Sequence, residues 1–141
     1  MRMRLSNRGK YALHAMVFLA AQHDQGPQTL ATIAQNGMPA QFLEQLLGKL
    51  RRSGLVKTVR GAQGGYAIAR SPNQITLAEI LEASEDPIDL SPCTCDMADC
   101  PLSGKCATQH AMDRITASVN NMMYNLTLDD ILKSEQKENL V

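Results

Sequence analysis

Pro39-Ala-Gln-Phe-Leu-Glu-Gln-Leu-Leu-Gly-Lys-Leu-Arg-Arg-Ser-Gly-Leu-Val-Lys-Thr-Val-Arg60 decides the fold, because its hydrophobic period changes part-way along. Phe42, Leu46 and Leu50 recur every four residues, with Leu43 and Leu47 beside them, so the first part reads as a helix with one buried face. Pro39 suits its first turn, where a missing N–H leaves no hydrogen bond unmade. Gly54 follows the last turn as an ordinary helix stop. Leu55 to Arg60 then alternates apolar with polar, Gly61-Ala-Gln-Gly-Gly65 makes a flexible turn, and Tyr66 to Arg70 alternates back.

Upstream, Asn7 to His23 reads as a helix with Ala12, Met16, Leu19 and Ala20 on one face. His14 is expected to be buried in it, as a structural residue. Asp24-Gln-Gly-Pro27 ends this helix, and Thr29 caps a short one that turns Leu30, Ile33 and Ala34 inward. Helix, helix, turn, helix and hairpin is the order of a winged helix-turn-helix, with the hairpin as wing. Downstream, Thr76 caps a short helix carrying Leu77, Ile80 and Leu81. The periodicity then disappears from Glu85 to Gly104. A loop of that length is usually functional. A long helix follows from about Cys106 to Asn125, with a stripe of Ala111, Ile115, Val119, Met122 and Leu126. Thr127-Leu-Asp-Asp130 resembles a capping box and opens a last helix. The expected fold is therefore mainly α: residues 1–72 form the winged helix-turn-helix with its two-stranded wing, and residues 73–141 the cysteine loop and long helix.

The formal net charge of zero hides an asymmetry. Residues 1–70 hold ten Lys and Arg against two acids, or +8, whereas residues 71–141 hold four against twelve, or −8. A basic half carrying a helix-turn-helix pattern points to a polyanion surface. Gln41, Glu44 and Gln45 lie early on the outer face of the third helix, where they can meet base edges in a major groove. Lys49, Arg51 and Arg52 suit phosphates. Arg60, at the wing tip, suits the narrow minor groove, where negative potential concentrates. The sequence shows no nucleophile–base pairing. Gly61 to Gly65 lies in a hairpin rather than before a helix, so no nucleotide fingerprint is present and enzyme chemistry is not expected.

Four cysteines fall between Cys93 and Cys106, in Pro92-Cys-Thr-Cys-Asp-Met-Ala-Asp-Cys-Pro-Leu-Ser-Gly-Lys-Cys106. No signal peptide or membrane span is visible, so a cytoplasmic protein is expected, and there clustered cysteines point to metal before disulfides. Thiolates suit iron–sulfur clusters and zinc. Zinc sites favour two tight CxxC-like pairs, which are absent here. A thiol switch remains the other reading. Cys93, Cys95, Cys100 and Cys106 are the candidate ligands, with His110, one helical turn after Cys106, as a possible fourth.

Met3-Arg-Leu-Ser-Asn-Arg-Gly-Lys-Tyr-Ala12, Phe42-Leu-Glu-Gln-Leu46, Leu50-Arg-Arg-Ser-Gly-Leu-Val56, Val59-Arg-Gly-Ala-Gln-Gly-Gly-Tyr66, the spaced cysteines and Asn125-Leu-Thr-Leu-Asp-Asp-Ile-Leu132 carry a resemblance over about residues 3–133. The chain resembles the Rrf-type family of bacterial winged-helix regulators, with its IscR-, NsrR- and RirA-like members. The resemblance implies a homodimer through the long C-terminal helix, binding to palindromic double-stranded operator DNA, and an iron–sulfur cluster (2Fe–2S or 4Fe–4S) as sensor of a regulator, read here as a repressor. It assigns base reading to Glu44 and Gln45, minor-groove entry to Arg60, and cluster ligation to Cys95, Cys100 and Cys106, with Cys93 an alternative first ligand. The fourth ligand is open. The IscR-like histidine position is Gln109 here, the NsrR-like aspartate position is Lys10, and His14 falls where one 2Fe–2S member has a ligand. The alternative is a cluster-free regulator of the same family, responding through thiol oxidation or a protein partner.

Overall fold

The computed structural model describes residues 5–35, 37–84, 101 and 106–138, with side chains described to residue 135. Helix α1 (Asn7–Ala21) starts at Ser6, whose Oγ accepts from the Gly9 N–H at 3.3 Å. Its core face is Ala12, Ala15, Met16, Leu19 and Ala20, all buried. A 3-10 turn (His23–Gln25) follows, so the helix ends two residues before the expected His23. His14 is exposed, contrary to the sequence expectation. It stands two positions from both Ala12 and Met16, about 200° around the helix from each, so it points away from the core face.

Thr29 caps α2 (Leu30–Ala34) by accepting from the Thr32 N–H at 3.2 Å. Pro39 sits at the cap of α3 (Ala40–Arg52), not inside its first turn. Leu43, Leu46, Leu47 and Leu50 are buried along one face of α3. Phe42 is half-buried at the edge of that face. Strands β1 (Val56–Val59) and β2 (Gly65–Ile68) form an antiparallel pair, with Val56 opposite Ile68 and Val59 opposite Gly65.

Thr76 and Glu79 form a complete capping box for α4 (Leu77–Ala83). Ala78, Ile80, Leu81 and Ala83 are buried there, whereas Leu77 is only half-buried. Helix α5 (Ala107–Asn125) starts directly after Cys106. Helix α6 (Leu128–Glu138) opens as the sequence suggested: Thr127 Oγ1 accepts from Asp130 N–H, and Asp130 Oδ2 accepts from Thr127 N–H.

One core runs from α1 through the hairpin and on to Ile75, Ile80 and Leu128, so residues beyond 72 share it with the helix-turn-helix. A smaller cluster joins Ala78 and Leu81 of α4 to Met123 and Val119 of α5. The rest of the α5 stripe is open to solvent in the single chain: Ile115 is 48% exposed, Met122 70% and Leu126 39%. No helix among the described residues is long and apolar enough to cross a membrane.

Candidate nucleic-acid interface

The interface is built on α3. Its four buried leucines fix one face, and the Phe42 ring meets Tyr11 of α1 edge-on, with 5.7 Å between centroids. Once that face is anchored, the helical step of about 100° per residue turns the intervening positions outward. Gln41, Glu44, Gln45 and Arg52 are exposed, and Lys49 is half-buried. Gln45, Gly48, Lys49, Arg51 and Arg52 line one open groove of about 610 Å³. Nothing lies within 4 Å of where a Cβ on Gly48 would stand, so the helix surface is clear there. Lys49, Arg51 and Arg52 occupy the last turn of α3, where positive charge complements the negative end of the helix dipole. Gln41 and Glu44 lie outside the groove's lining. Arg60 is exposed on a separate element, immediately after β1.

The wing is seated by contacts that the sequence reading missed. Gln28 N–H donates to Tyr66 O at 2.8 Å, and Tyr66 N–H donates to Gln28 O at 2.7 Å. The residue before the α2 cap therefore acts as a one-residue third strand on β2. A single bridge has no period, so no sequence pattern announces it. At the base of the wing, the Arg70 guanidinium lies 3.2–3.3 Å from Glu79 Oε1. Glu79 Oε2 accepts from the Thr76 N–H at 3.0 Å, and the Glu79 N–H donates to Thr76 Oγ1 at 3.2 Å. Burial is the largest single influence on the Glu79 carboxyl and pushes its pKa up. The hydrogen bonds from Thr76 and Arg70, with the Arg70 charge, together outweigh it and hold the group below its ordinary value. The Thr-x-x-Glu spacing at Thr76 would have flagged Glu79 as half of a capping box.

Of the candidate cluster ligands, Cys93, Cys95 and Cys100 lie outside the described residues. Cys106 occupies the cap position of α5, is half-buried, and makes no side-chain capping hydrogen bond. His110 is exposed one turn further on, and its backbone N–H donates to Cys106 O at 3.1 Å. Gln109 donates from Nε2 to Asp113 Oδ1 at 2.7 Å, and its amide oxygen is a hard donor poorly suited to an iron–sulfur cluster. His14 and Lys10 lie in a different place, a groove of about 560 Å³ between α1 and α6 that Glu135 also lines. Among the described residues no group of three or more metal-ligating side chains converges. The two described candidates are of donor types that soft and borderline metals take: Cys106 is a thiol not used in capping, and His110 stands four residues further on.

The model of the Rrf2 family, described as an iron-dependent transcriptional regulator, matches residues 5–134. The chain belongs to the Rrf2 family. The HTH-type transcriptional regulator IscR of Pectobacterium carotovorum is 32% identical over 135 residues, covering 95% of this chain and 82% of that relative. The solved structure of CymR, the global cysteine regulator of B. subtilis, matches with a TM-score of 0.78 at 35% identity, over 94% of this chain and 98% of that one. T. potens IscR matches with a TM-score of 0.78 at 33% identity, over 96% and 90%. This Rrf2-family chain is thus a DNA-binding regulator of transcription, not an enzyme.

Proposed function

We propose that this Rrf2-family protein is a homodimeric regulator that binds palindromic operator DNA and responds through an iron–sulfur cluster, 2Fe–2S or 4Fe–4S, in its cysteine segment. The observation that carries the DNA reading is the α3 face, where exposed Gln41, Glu44, Gln45 and Arg52 lead into a basic last turn. Glu44 and Gln45 read base edges, Lys49, Arg51 and Arg52 hold phosphates, and Arg60 enters the minor groove. Ile115 and Met122, exposed on α5, and Leu126 just after it supply the apolar seam for a second copy. A two-fold dimer then presents its recognition helices to half-sites about one helical turn apart.

Cys95, Cys100 and Cys106 would hold the cluster, with Cys93 an alternative to Cys95 and His110, one helical turn after Cys106, a candidate fourth ligand. When bound, such a cluster supplies an iron- and redox-dependent tie between the segment and the start of α5. Cys106 fixes the α5 end of that tie, since α5 begins at the next residue. The description of the family as iron-dependent supports this reading. Likeness to the cysteine regulator CymR supports a second reading, a cluster-free regulator that responds through thiol oxidation or a protein partner.

Anaerobic purification separates the two. The expected product is coloured, with iron and acid-labile sulfide bound. Cys106→Ala should lose the colour while keeping its helical circular dichroism. A colourless wild-type protein with no bound iron, or one holding zinc alone, overturns the cluster reading.

A further inference from the structure

Helix α4 is tied to two functional parts of the molecule. At its head, Leu77 N–H donates to Leu126 O at 2.9 Å and Leu128 N–H donates to Ile75 O at 2.8 Å, which fixes it to the α5–α6 junction. One side packs Ala78 and Leu81 on Met123 and Val119 of α5, while Ile80 and Ala83 enter the main core. Glu79 holds Arg70 at the base of the wing. Glu82, three residues on and so on the same face, accepts a hydrogen bond from the Tyr124 hydroxyl of α5. Buried Ser84 closes the helix by donating from Oγ to Leu81 O at 2.8 Å, immediately before the cysteine-bearing segment. Arg70, Glu79 and Glu82 line one cavity of about 300 Å³, together with Ser53 and Leu55 from the turn between α3 and β1.

One guanidinium thus has two carboxylates within a single helical turn. Glu79 takes Arg70; Glu82 is occupied by Tyr124. We propose that α4 couples α5 to the wing by partner exchange: while Tyr124 holds Glu82, Arg70 stays on Glu79 and seats the wing, and when α4 shifts on α5, the released Glu82 draws Arg70 away. Arg70 and Tyr124 are positioning residues, acting on DNA binding through the wing. The proposal rests on the cysteine-segment reading only for the identity of the signal that shifts α4. The coupling itself needs no cluster.

Full-length protein prepared without iron tests it, with operator binding followed by fluorescence anisotropy at fixed salt. Glu79→Gln keeps a side chain competent for the capping box but removes the charge that holds Arg70. Tyr124→Phe keeps the ring and removes the hydroxyl. Each should weaken operator binding about two- to fivefold, the range for a half-exposed ion pair. The double variant should match the weaker-binding single one rather than show the product of the two effects. The salt dependence should keep its slope, because no phosphate contact is removed. Wild-type affinity in Tyr124→Phe, or multiplying effects in the double variant, overturns the proposal. Should Glu79→Gln unfold, Arg70→Gln removes the same pair from the other side, and the same non-additivity with Tyr124→Phe is required. Wild type binding operator equally with and without iron would instead overturn the cluster sensor, leaving the result on α4 to be judged from the iron-free variants.

Discussion

Replacing Gly65 by Ala measures how firmly the wing is seated. The Gly65 φ is +154°, and a Cβ there would stand 2.3 Å from Gln28 O, 2.6 Å from the Gln28 carbonyl carbon and 3.1 Å from Thr29 N. These are backbone atoms beside the α2 cap, so they cannot swing aside as a side chain would. β2 must lift, and the two Gln28–Tyr66 hydrogen bonds at 2.8 and 2.7 Å are lost. Each contributes about 1 kcal/mol net, and positive φ in a residue with a Cβ adds roughly 1–2 kcal/mol. The expected loss is about 3–4 kcal/mol, against a total stability on the order of 5–15 kcal/mol for a domain. The variant should therefore fold, unfold at a clearly lower urea concentration, exchange its Tyr66 amide faster, and bind operator more weakly. Gly61→Ala is the control. It has φ +118° with nothing within 4 Å of the added Cβ, so only the strain of about 1–2 kcal/mol applies. Equal urea midpoints for the two variants would refute the seating argument.

Leu128 is fully buried in the same cluster as Met16 and Ile33, so Leu128→Ala should cost about 2–5 kcal/mol and lower the whole unfolding transition. A hairpin signal that melts unchanged while α6 is lost would contradict a shared core. The Glu79 carboxyl ionises below its ordinary value in the folded chain, so its contribution is present above the ordinary carboxylate value and is lost as pH falls through the folded one. Between neutral pH and about pH 3, wild type should lose more urea resistance than Glu79→Gln; parallel losses would remove Glu79 from the account. Arg60→Ala should weaken operator binding, and Glu44→Ala should relax preference at one base pair by roughly 1–3 kcal/mol. Wild-type operator affinity in Arg60→Ala, or unchanged preference at every base pair in Glu44→Ala, would defeat the corresponding assignment.

Much of the candidate interface was legible because it is local. The Phe42 to Leu50 repeat defines the buried side of α3, and the remaining positions of that helix are then its open side. The sequence grouped Arg51 with Lys49 and Arg52 for phosphates, but it could not foresee that Gln41 and Glu44 lie outside the groove those residues line. It also could not foresee that Met123, outside the expected α5 stripe, is the residue buried against α4 while Met122 stays 70% exposed. Which side of α5 is covered depends on where α4 lies, and α4 is joined to α5 through a segment with no periodic signal.

The amino-acid order alone determined which elements form, and their ends to within a residue or two. Helical and strand periods, the Ser/Thr caps at Thr29, Thr76 and Thr127, and the glycine-rich wing turn act between residues a few positions apart, where the chain has little freedom to choose otherwise. Tertiary structure decided the pairings across distance: Gln28 with Tyr66, Arg70 with Glu79, Glu82 with Tyr124, and Leu128 in the core of the helix-turn-helix. Each depends on how whole helices settle against one another to bury apolar surface, and that arrangement leaves no repeating trace in the residues it brings together.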